Sequence, residues 1–282
     1  LIRTVFSEKS LRLLSGCCVF ASFLGLQSIL PGPGQASGPG TGAANFLKIP
    51  VGARETSLGG AFTAVADNAT AVYYNPSGLG TLKNPEVSFT QNNFVEGVSQ
   101  QWLAAAYPHG TGVFGLAVNR LAVSPFASYD NSDNRTGSVS ASDLAVYLAW
   151  GRSLPLDYRF IRSVSYGAGV KYISEKLDTR TGAGYALDLG VLATSPVKDL
   201  KFGFSLENAV SSKITFIEEG ARPPLKIKTG AAYKIGSTAG PSALFSLDYV
   251  MWTDRSGYMA AGVEGLFFGL FARRSERVEP SL

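Results

Sequence analysis

The sequence predicts an all-β protein, in which antiparallel strands form a transmembrane β-barrel of the outer-membrane type with a short N-terminal helical hatch in its lumen. Two properties of the 282 residues lead to the β-barrel part of this prediction. The composition is 45% hydrophobic but only 16% charged, whereas soluble globular domains carry about 25% charged residues. Beyond residue 83, apolar side chains alternate with small or charged ones at the period of two that is typical of β-strands.

Residues 1–36 have the features of a cleaved signal peptide. A positively charged start precedes an apolar stretch from Leu13 to Leu30, and the residues from Gly34 to Ala36 match a small-residue cleavage site. An apolar stretch of about 18 residues is also just long enough to span a bilayer, so an uncleaved membrane anchor is the alternative. Residues 37–51 are predicted to be a linker.

Both cysteines, Cys17 and Cys18, lie in this predicted signal peptide. Cleavage would leave no cysteine, which excludes structural disulfides, thiolate zinc sites and cysteine nucleophiles. A lipoprotein-like box that ends at Cys17 leaves lipidation as a minor alternative. Beyond the leader, basic and acidic residues nearly balance, so the sequence does not predict binding to nucleic acid.

Residues 52–82 are predicted to form the hatch, because they are small, rich in alanine and compatible with short helices. Leu58, Phe62 and Val65 have the spacing of one helical face. The Asn75-Pro76 pair ends the helical region, since a proline biases the preceding residue towards extended geometry. The candidate hatch residues are Arg54, Gly59, Gly60, Asp67, Asn75, Pro76 and Gly78.

Residues 83–270 are predicted to contain about ten strands, most of them about ten residues long, which is the length of a tilted membrane strand. Short turns between successive strands predict antiparallel pairing. The predicted strands cover residues 86–94, 98–107, 112–124, 139–152, 162–177, 184–195, 200–210, 225–235, 243–252 and 257–268.

The two faces of these strands differ in chemistry. One face is apolar and aromatic, and the other combines glycine and alanine with isolated charges, as expected of a crowded lumen. The predicted lumen charges are Lys171, Asp188, Glu207, Lys228, Lys234, Asp248 and Glu264. A soluble β-sandwich would show the same alternation, so a secreted adhesion protein is the alternative fold.

The sequence does not predict an enzyme, a bound cofactor or a metal site. The single histidine, His109, lies in a turn, and no nucleophile or orienting carboxylate accompanies it in a recognisable arrangement. Inward carboxylates such as Asp188 and Glu207 could suggest glycosidase chemistry, but lysines on the same face make ion pairs the better interpretation.

Four blocks of sequence resemble the N-terminal signature of PorV/PorQ-type outer-membrane proteins, which belong with the long-chain fatty-acid transporter-like (FadL-like) barrels. These blocks are Phe46 to Ile49, Gly52 to Arg54, Leu58 to Asp67 and Tyr73 to Leu79. Ser77 departs from the alanine usual in the last block. Residues 262–264 and 271–273 resemble a late segment of the same family. The resemblance implies a bacterial outer-membrane barrel whose N-terminal segment folds into the lumen.

The last residues, 271–282, are predicted to be a charged tail outside the membrane strands. The resemblance implies that further strands follow at this position, so the sequence suggests a truncated C-terminus. An open sheet edge would not be tolerated in lipid, and the alternative is that ten strands close a smaller barrel.

Three functions follow from these expectations. The first is a non-enzymatic barrel that acts in protein secretion or surface assembly, as the resemblance to PorV-type proteins of the type IX secretion system implies. Its partners would be outer-membrane lipid and secretion-system proteins or secreted cargo. The second is a FadL-like channel for hydrophobic small molecules. The third is a secreted β-sandwich used in adhesion.

Overall fold

The computed structural model describes residues 42–236, 240–267 and 270–278. The predicted signal peptide, the start of the linker and the final four residues of the charged tail lie outside the described residues.

In the described residues, eleven long strands form one antiparallel sheet, and two short strands form a separate hairpin. The sheet follows the chain order from β1 to β7 and then from β10 to β13. The prediction of an all-β antiparallel fold is therefore confirmed. The strands are β1 Glu86–Asn93, β2 Val98–His109, β3 Gly112–Tyr129, β4 Arg135–Tyr158, β5 Ile161–Leu177, β6 Arg180–Thr194, β7 Leu200–Ser211, β8 Ile214–Thr215, β9 Gly220–Ala221, β10 Lys226–Gly236, β11 Ser242–Trp252, β12 Tyr258–Phe267 and β13 Leu270–Val278.

Residues 42–85, the described part of the chain before the sheet, contain four short helical elements. Two are 3₁₀ turns, Asn45–Lys48 and Pro76–Thr81, and two are α-helical turns, α1 Ala53–Ser57 and α2 Ala71–Tyr74. Residues 58–65, whose spacing predicts a helical face, form turns instead. Gly59 and Gly60 adopt positive φ angles of 68° and 79°, which a right-handed helix does not allow.

No helix within the described ranges is long and apolar enough to cross a membrane.

The charged segment after residue 270, predicted as a tail outside the strands, forms β13 and pairs with β12 over its whole length. The prediction relied on charge content, which says little about hydrogen bonding along a sheet edge. Backbone groups of β12 pair with those of β13 whatever the side chains are, and Arg273 has a partner opposite it in Glu264. All nine residues of β13 are exposed.

The sheet curves around the N-terminal region. The amide of Ala69 donates a hydrogen bond to Glu86 on β1, and Gly59 lies against Ser275 on β13. A flat sheet of eleven strands would be about 48 Å wide, whereas ten residues span at most about 36 Å. Within the described residues β1 and β13 are at opposite ends of the strand order, so the structure shows a curved sheet and not a closed barrel.

The face that contacts residues 42–82, called the inner face below, is buried although it carries the charges. Lys228 and Asp248 are each 1% exposed. The opposite face, called the outer face, is exposed although it is apolar, and Leu116 and Leu148 are 54% and 55% exposed. The sheet thus buries charged side chains and exposes apolar ones, which is uncommon in a water-soluble domain.

Candidate functional site

The candidate site is the contact between the hatch, residues 52–82, and the inner face of the sheet. Glycines on the sheet let the two backbones approach closely. A Cβ atom on Gly167 would lie 2.4 Å from the carbonyl carbon of Pro76, and one on Gly203 would lie 2.3 Å from the carbonyl oxygen of Thr63. Real Cβ atoms do not approach other atoms so closely, so glycine is required at these positions for the hatch to pack as it does.

Asn75 organises the end of the hatch. Its Oδ1 accepts hydrogen bonds from the amide and hydroxyl of Ser77, and its Nδ2 donates to the carbonyl of Thr63 at 2.8 Å. Pro76 follows at the first position of the 3₁₀ turn, where its missing amide proton costs nothing. A Cβ on Gly78 would lie 2.1 Å from the carbonyl of Ala66, so Gly78 permits the hatch to fold back on itself.

Arg54 connects the hatch to β12. Its guanidinium donates to both carboxylate oxygens of Glu264, at 2.8 and 3.1 Å, and also pairs with Asp67. Burial alone would lower the pKa of Arg54, but the hydrogen bonds to Glu264 and Asp67 outweigh this effect and raise the pKa above its usual value. Arg273 of β13 shares Glu264 at 2.6 Å. Asp67 therefore pairs within the hatch, while Arg54 reaches the sheet.

A second set of charges lies deeper on the inner face. Lys171 pairs with Asp188 at 2.8 Å, and Glu207 pairs with both Lys226, at 3.2 Å, and Lys228. All five side chains are buried. Since isolated buried charges are strongly unfavourable, each of these groups depends on its partners.

Two of the deep inner-face charges also hold the hatch. The ammonium group of Lys228 donates to the carbonyl of Tyr74, and the carboxylate of Asp248 accepts a hydrogen bond from the amide of Thr63 at 2.9 Å. These bonds satisfy backbone groups of the hatch at the end of α2, where Tyr74 lies, and in the turn that contains Thr63. The sheet charges are therefore part of the packing between hatch and wall.

An aromatic cluster fills the space beside these charges. Tyr73 packs edge-on against Tyr74 and Trp102, with ring centroids 4.9 and 5.8 Å apart, and Trp102 packs against Tyr147 at 5.7 Å. The hydroxyls of Tyr73 and Tyr74 donate to the carbonyls of Leu47 and Val51, respectively. Burial, together with nearby carboxylates, raises the pKa of both hydroxyls well above the usual value.

The remaining candidate residues, Gly59, Gly60 and Lys234, differ in how closely they contact the rest of the protein. Gly59 packs against Ser275, and no atom lies within 4 Å of a Cβ built on Gly60. Lys234 shares the inner face with Lys228 but is exposed near the end of β10. Within the described residues no group of three or more His, Cys, Asp or Glu side chains is placed to hold a metal ion.

The sequence analysis missed several inner-face residues that the same alternation identifies. Lys226 lies two residues before Lys228, and Lys201 has the same parity as Glu207 in β7. Arg273 was missed because the sequence predicted no strand after residue 270. Lys226 and Lys201 are identified when the alternation is followed to both ends of each predicted strand.

Sequence comparison now adds to this geometry. The model of a family described as "Uncharacterised protein family (UPF0164)" matches residues 34–213. The chain belongs to the UPF0164 family. The matched region includes the hatch and the strands β1 to β7, so the glycines and charges of that part of the contact lie within it.

A relative named "UPF0164 protein" from Treponema pallidum (strain Nichols) is 26% identical over 193 residues. The alignment covers 64% of this chain and 45% of the relative, so the chain spans less than half of that protein. The resemblance to PorV/PorQ-type and FadL-like proteins is wrong, since both matches identify the UPF0164 family. Short Gly- and Asn-Pro-containing blocks are weak evidence of family, because the packing of any hatch against a glycine-lined sheet favours them.

Proposed function

We propose that this UPF0164 chain forms part of a non-enzymatic outer-membrane β-barrel that acts in protein secretion or surface assembly. The observation that carries the proposal is the reversed burial of the sheet. Its charged inner face is covered by the hatch, and its apolar outer face is exposed. Membrane barrels have this arrangement, because lipid contacts the outer face and every backbone group must be paired internally.

The outer face has a continuous apolar row that crosses seven strands at one level. Each member is opposite the next in the strand register, and the row contains Val87, Ala105, Leu116, Leu148, Val170, Leu187 and Val210. The hydrocarbon layer of a membrane would cover such a row without any further protein partner. A second covering sheet, as in a sandwich, would also bury it, but the long described strands all belong to one sheet.

Aromatic pairs flank this row on the outer face. Trp150 packs against Tyr166 with ring centroids 5.7 Å apart, and Tyr172 packs against Tyr185 at 5.3 Å. Tyr166 and Tyr172 are six residues apart on β5, which corresponds to about 20 Å along a strand. Membrane barrels carry aromatic girdles at both interfaces of an apolar band about 25 Å tall, which supports the proposed orientation.

The hatch favours a scaffold over an open channel. It occupies the inner face from β1 to β13 and is held there by ion pairs and backbone hydrogen bonds. Secretion or surface assembly can use the loops and edges of such a protein without a permanent pore.

A second candidate function is the passage of hydrophobic small molecules. An apolar depression of about 350 Å³ lies beside β1 and includes Val87, Tyr107 and Leu116. The cavity between hatch and sheet near Arg54 is lined by seven charged side chains, so a ligand without any polar group would bind there poorly.

Membrane fractionation of Leu148→Arg and a control, Ser138→Arg, tests the membrane location. Ser138 is exposed where the β3–β4 hairpin extends past its neighbours, so an arginine there meets water. We expect wild type and Ser138→Arg to stay in membranes after a urea wash. Arginine at the bilayer midplane costs about 2–4 kcal/mol, so Leu148→Arg should assemble much less. Recovery of the wild type in the wash would refute the membrane proposal.

The secretion role has a separate test. Deletion of the gene should deplete a defined set of surface proteins, while uptake of hydrophobic dyes stays unchanged. Loss of dye uptake with an unchanged set of surface proteins would instead support the second candidate function.

A further inference from the structure

We infer that the cavity between the hatch and strands β7, β10, β11, β12 and β13 binds a phosphate monoester that carries an apolar group. The cavity has a volume of about 460 Å³ and lies at the ends of these strands that are joined by short turns. Its lining combines two lysines that form no ion pair within the described residues with a set of apolar side chains. The site lies on the inner face and the membrane proposal rests on the outer face, so this cavity can fail to bind the ligand in a protein that is still held in the membrane.

Lys201 and Lys234 supply the binding charge. Lys201 is opposite Ala232 in the register of β7 and β10, so Lys234 is its diagonal neighbour on the same face. Diagonal positions on adjacent strands are about 7–8 Å apart, which places two ammonium groups within reach of one anion. Neither lysine forms an ion pair within the described residues.

The other basic groups nearby differ in this respect. Lys171 and Lys228 have carboxylate partners on the same face, and Arg54 and Arg273 are both hydrogen-bonded to Glu264. Two like charges at diagonal positions repel each other, and within the described residues neither ammonium group of this pair has a carboxylate within ion-pair distance. An anion between the lysines would remove that repulsion.

The acidic residues of the cavity do not prevent an anion from binding. Asp67 and Glu264 are engaged by Arg54, and Asp199 is exposed on the turn before β7. In total the lining has four basic and three acidic side chains. The free positive charge is therefore concentrated at the two lysines.

The chemistry of this pair selects the anion. A phosphate monoester carries about −1.5 to −2 charges at neutral pH and has three strong acceptor oxygens, which matches two ammonium donors better than a single carboxylate does. Leu244, Leu266 and Phe271 line the same cavity and offer apolar surface to the substituent of the phosphate. Such a ligand is either a lipid headgroup with its attached chain or a free phosphorylated metabolite.

Titration of the full chain in nanodiscs of zwitterionic lipid tests the inference. The probes are inorganic phosphate, hexyl phosphate and hexanol, and binding is measured by calorimetry. We expect hexyl phosphate to bind more tightly than inorganic phosphate by about threefold or more, and hexanol to show no binding at the same concentrations. Equal binding of hexanol and hexyl phosphate, or of the two phosphates, would overturn the proposed amphiphilic site.

Two variants assign the binding to the lysines. Lys201→Gln or Lys234→Gln should each weaken the binding of hexyl phosphate about tenfold, because each removes one charged hydrogen bond to the phosphate and its share of the binding free energy. The control is Lys213→Gln, because Lys213 is exposed in the loop after β7, at the opposite end of the sheet. A double variant, Lys201→Gln with Lys234→Gln, that binds hexyl phosphate as tightly as Lys213→Gln does would refute the site, provided that both proteins retain the native circular dichroism spectrum.

Discussion

Gly167→Ala is the most direct perturbation of the contact between hatch and sheet. The new Cβ would lie 2.4–2.5 Å from the backbone of Pro76 and Ser77, and neither backbone can move aside without disturbing the turn capped by Asn75. Forcing an extra methyl group into a packed interior costs about 1–3 kcal/mol. If the hatch moves away to relieve this contact, the population of its undocked state should rise about 5-fold to 150-fold.

Gly169→Ala is the matched control, because it lies two residues along the same face of β5. The three nearest atoms to its new Cβ belong to β4, at 3.2 Å or more, and none belongs to the hatch. Limited trypsin digestion with mass spectrometry reads out cleavage after Lys48 and Arg54. We expect faster cleavage in Gly167→Ala than in wild type, and wild-type rates in Gly169→Ala. Equal rates for the two variants would refute the close backbone contact.

Two further changes test the charges of the site. Glu207→Gln removes the carboxylate shared by Lys226 and Lys228, and loss of one member of a buried ion pair should lower the free energy of unfolding in urea by about 3–5 kcal/mol. Glu218→Gln is the control, since Glu218 is exposed, and a similar midpoint for both variants would contradict the buried network. Asp67→Lys removes a partly exposed partner of Arg54, which is worth at most about 1 kcal/mol. It should loosen the hatch and raise single-channel conductance in planar bilayers slightly, whereas unchanged conductance would count against a role of this pair in holding the hatch.

The alternation of the strands made much of the fold predictable from the sequence. Ten predicted strands correspond to β1 to β7 and β10 to β12, because side-chain period and turn residues are local properties of the chain. The paired charges Lys171 and Asp188 share a face for the same reason. Local patterns thus predicted which residues share a face, and the packing of the hatch determined which of them are in contact.

The remaining features depend on contacts between distant parts of the chain. β13 was missed because its charged residues obscure a pairing that backbone groups of β12 provide. Residues 58–65 have the spacing of a helix but form turns, in which Leu58 packs against Gly262 and Gly59 lies against Ser275. The family was assigned wrongly because short motifs that any packed hatch requires do not distinguish one family from another.

The apolar outer face was visible in the sequence as alternation, but its exposure was not. A soluble sandwich and a membrane sheet share the pattern of residues and differ in what covers each face. Burial of Lys228 together with exposure of Leu148 is the observation that supports the membrane proposal, and it required the structure.

Collision accessibility of nitroxide spin labels tests most directly whether the outer face contacts lipid. Single cysteines at Leu116, Leu148 and Val170 report on the outer face, and those at Ala117 and Ala149 report on the inner face. In membranes, we predict high accessibility to oxygen and low accessibility to a water-soluble nickel chelate at the three outer sites. The inner sites, packed under the hatch, should be protected from both reagents. Equal, high accessibility to the nickel chelate at the outer sites would show that this face contacts water and would contradict the membrane proposal.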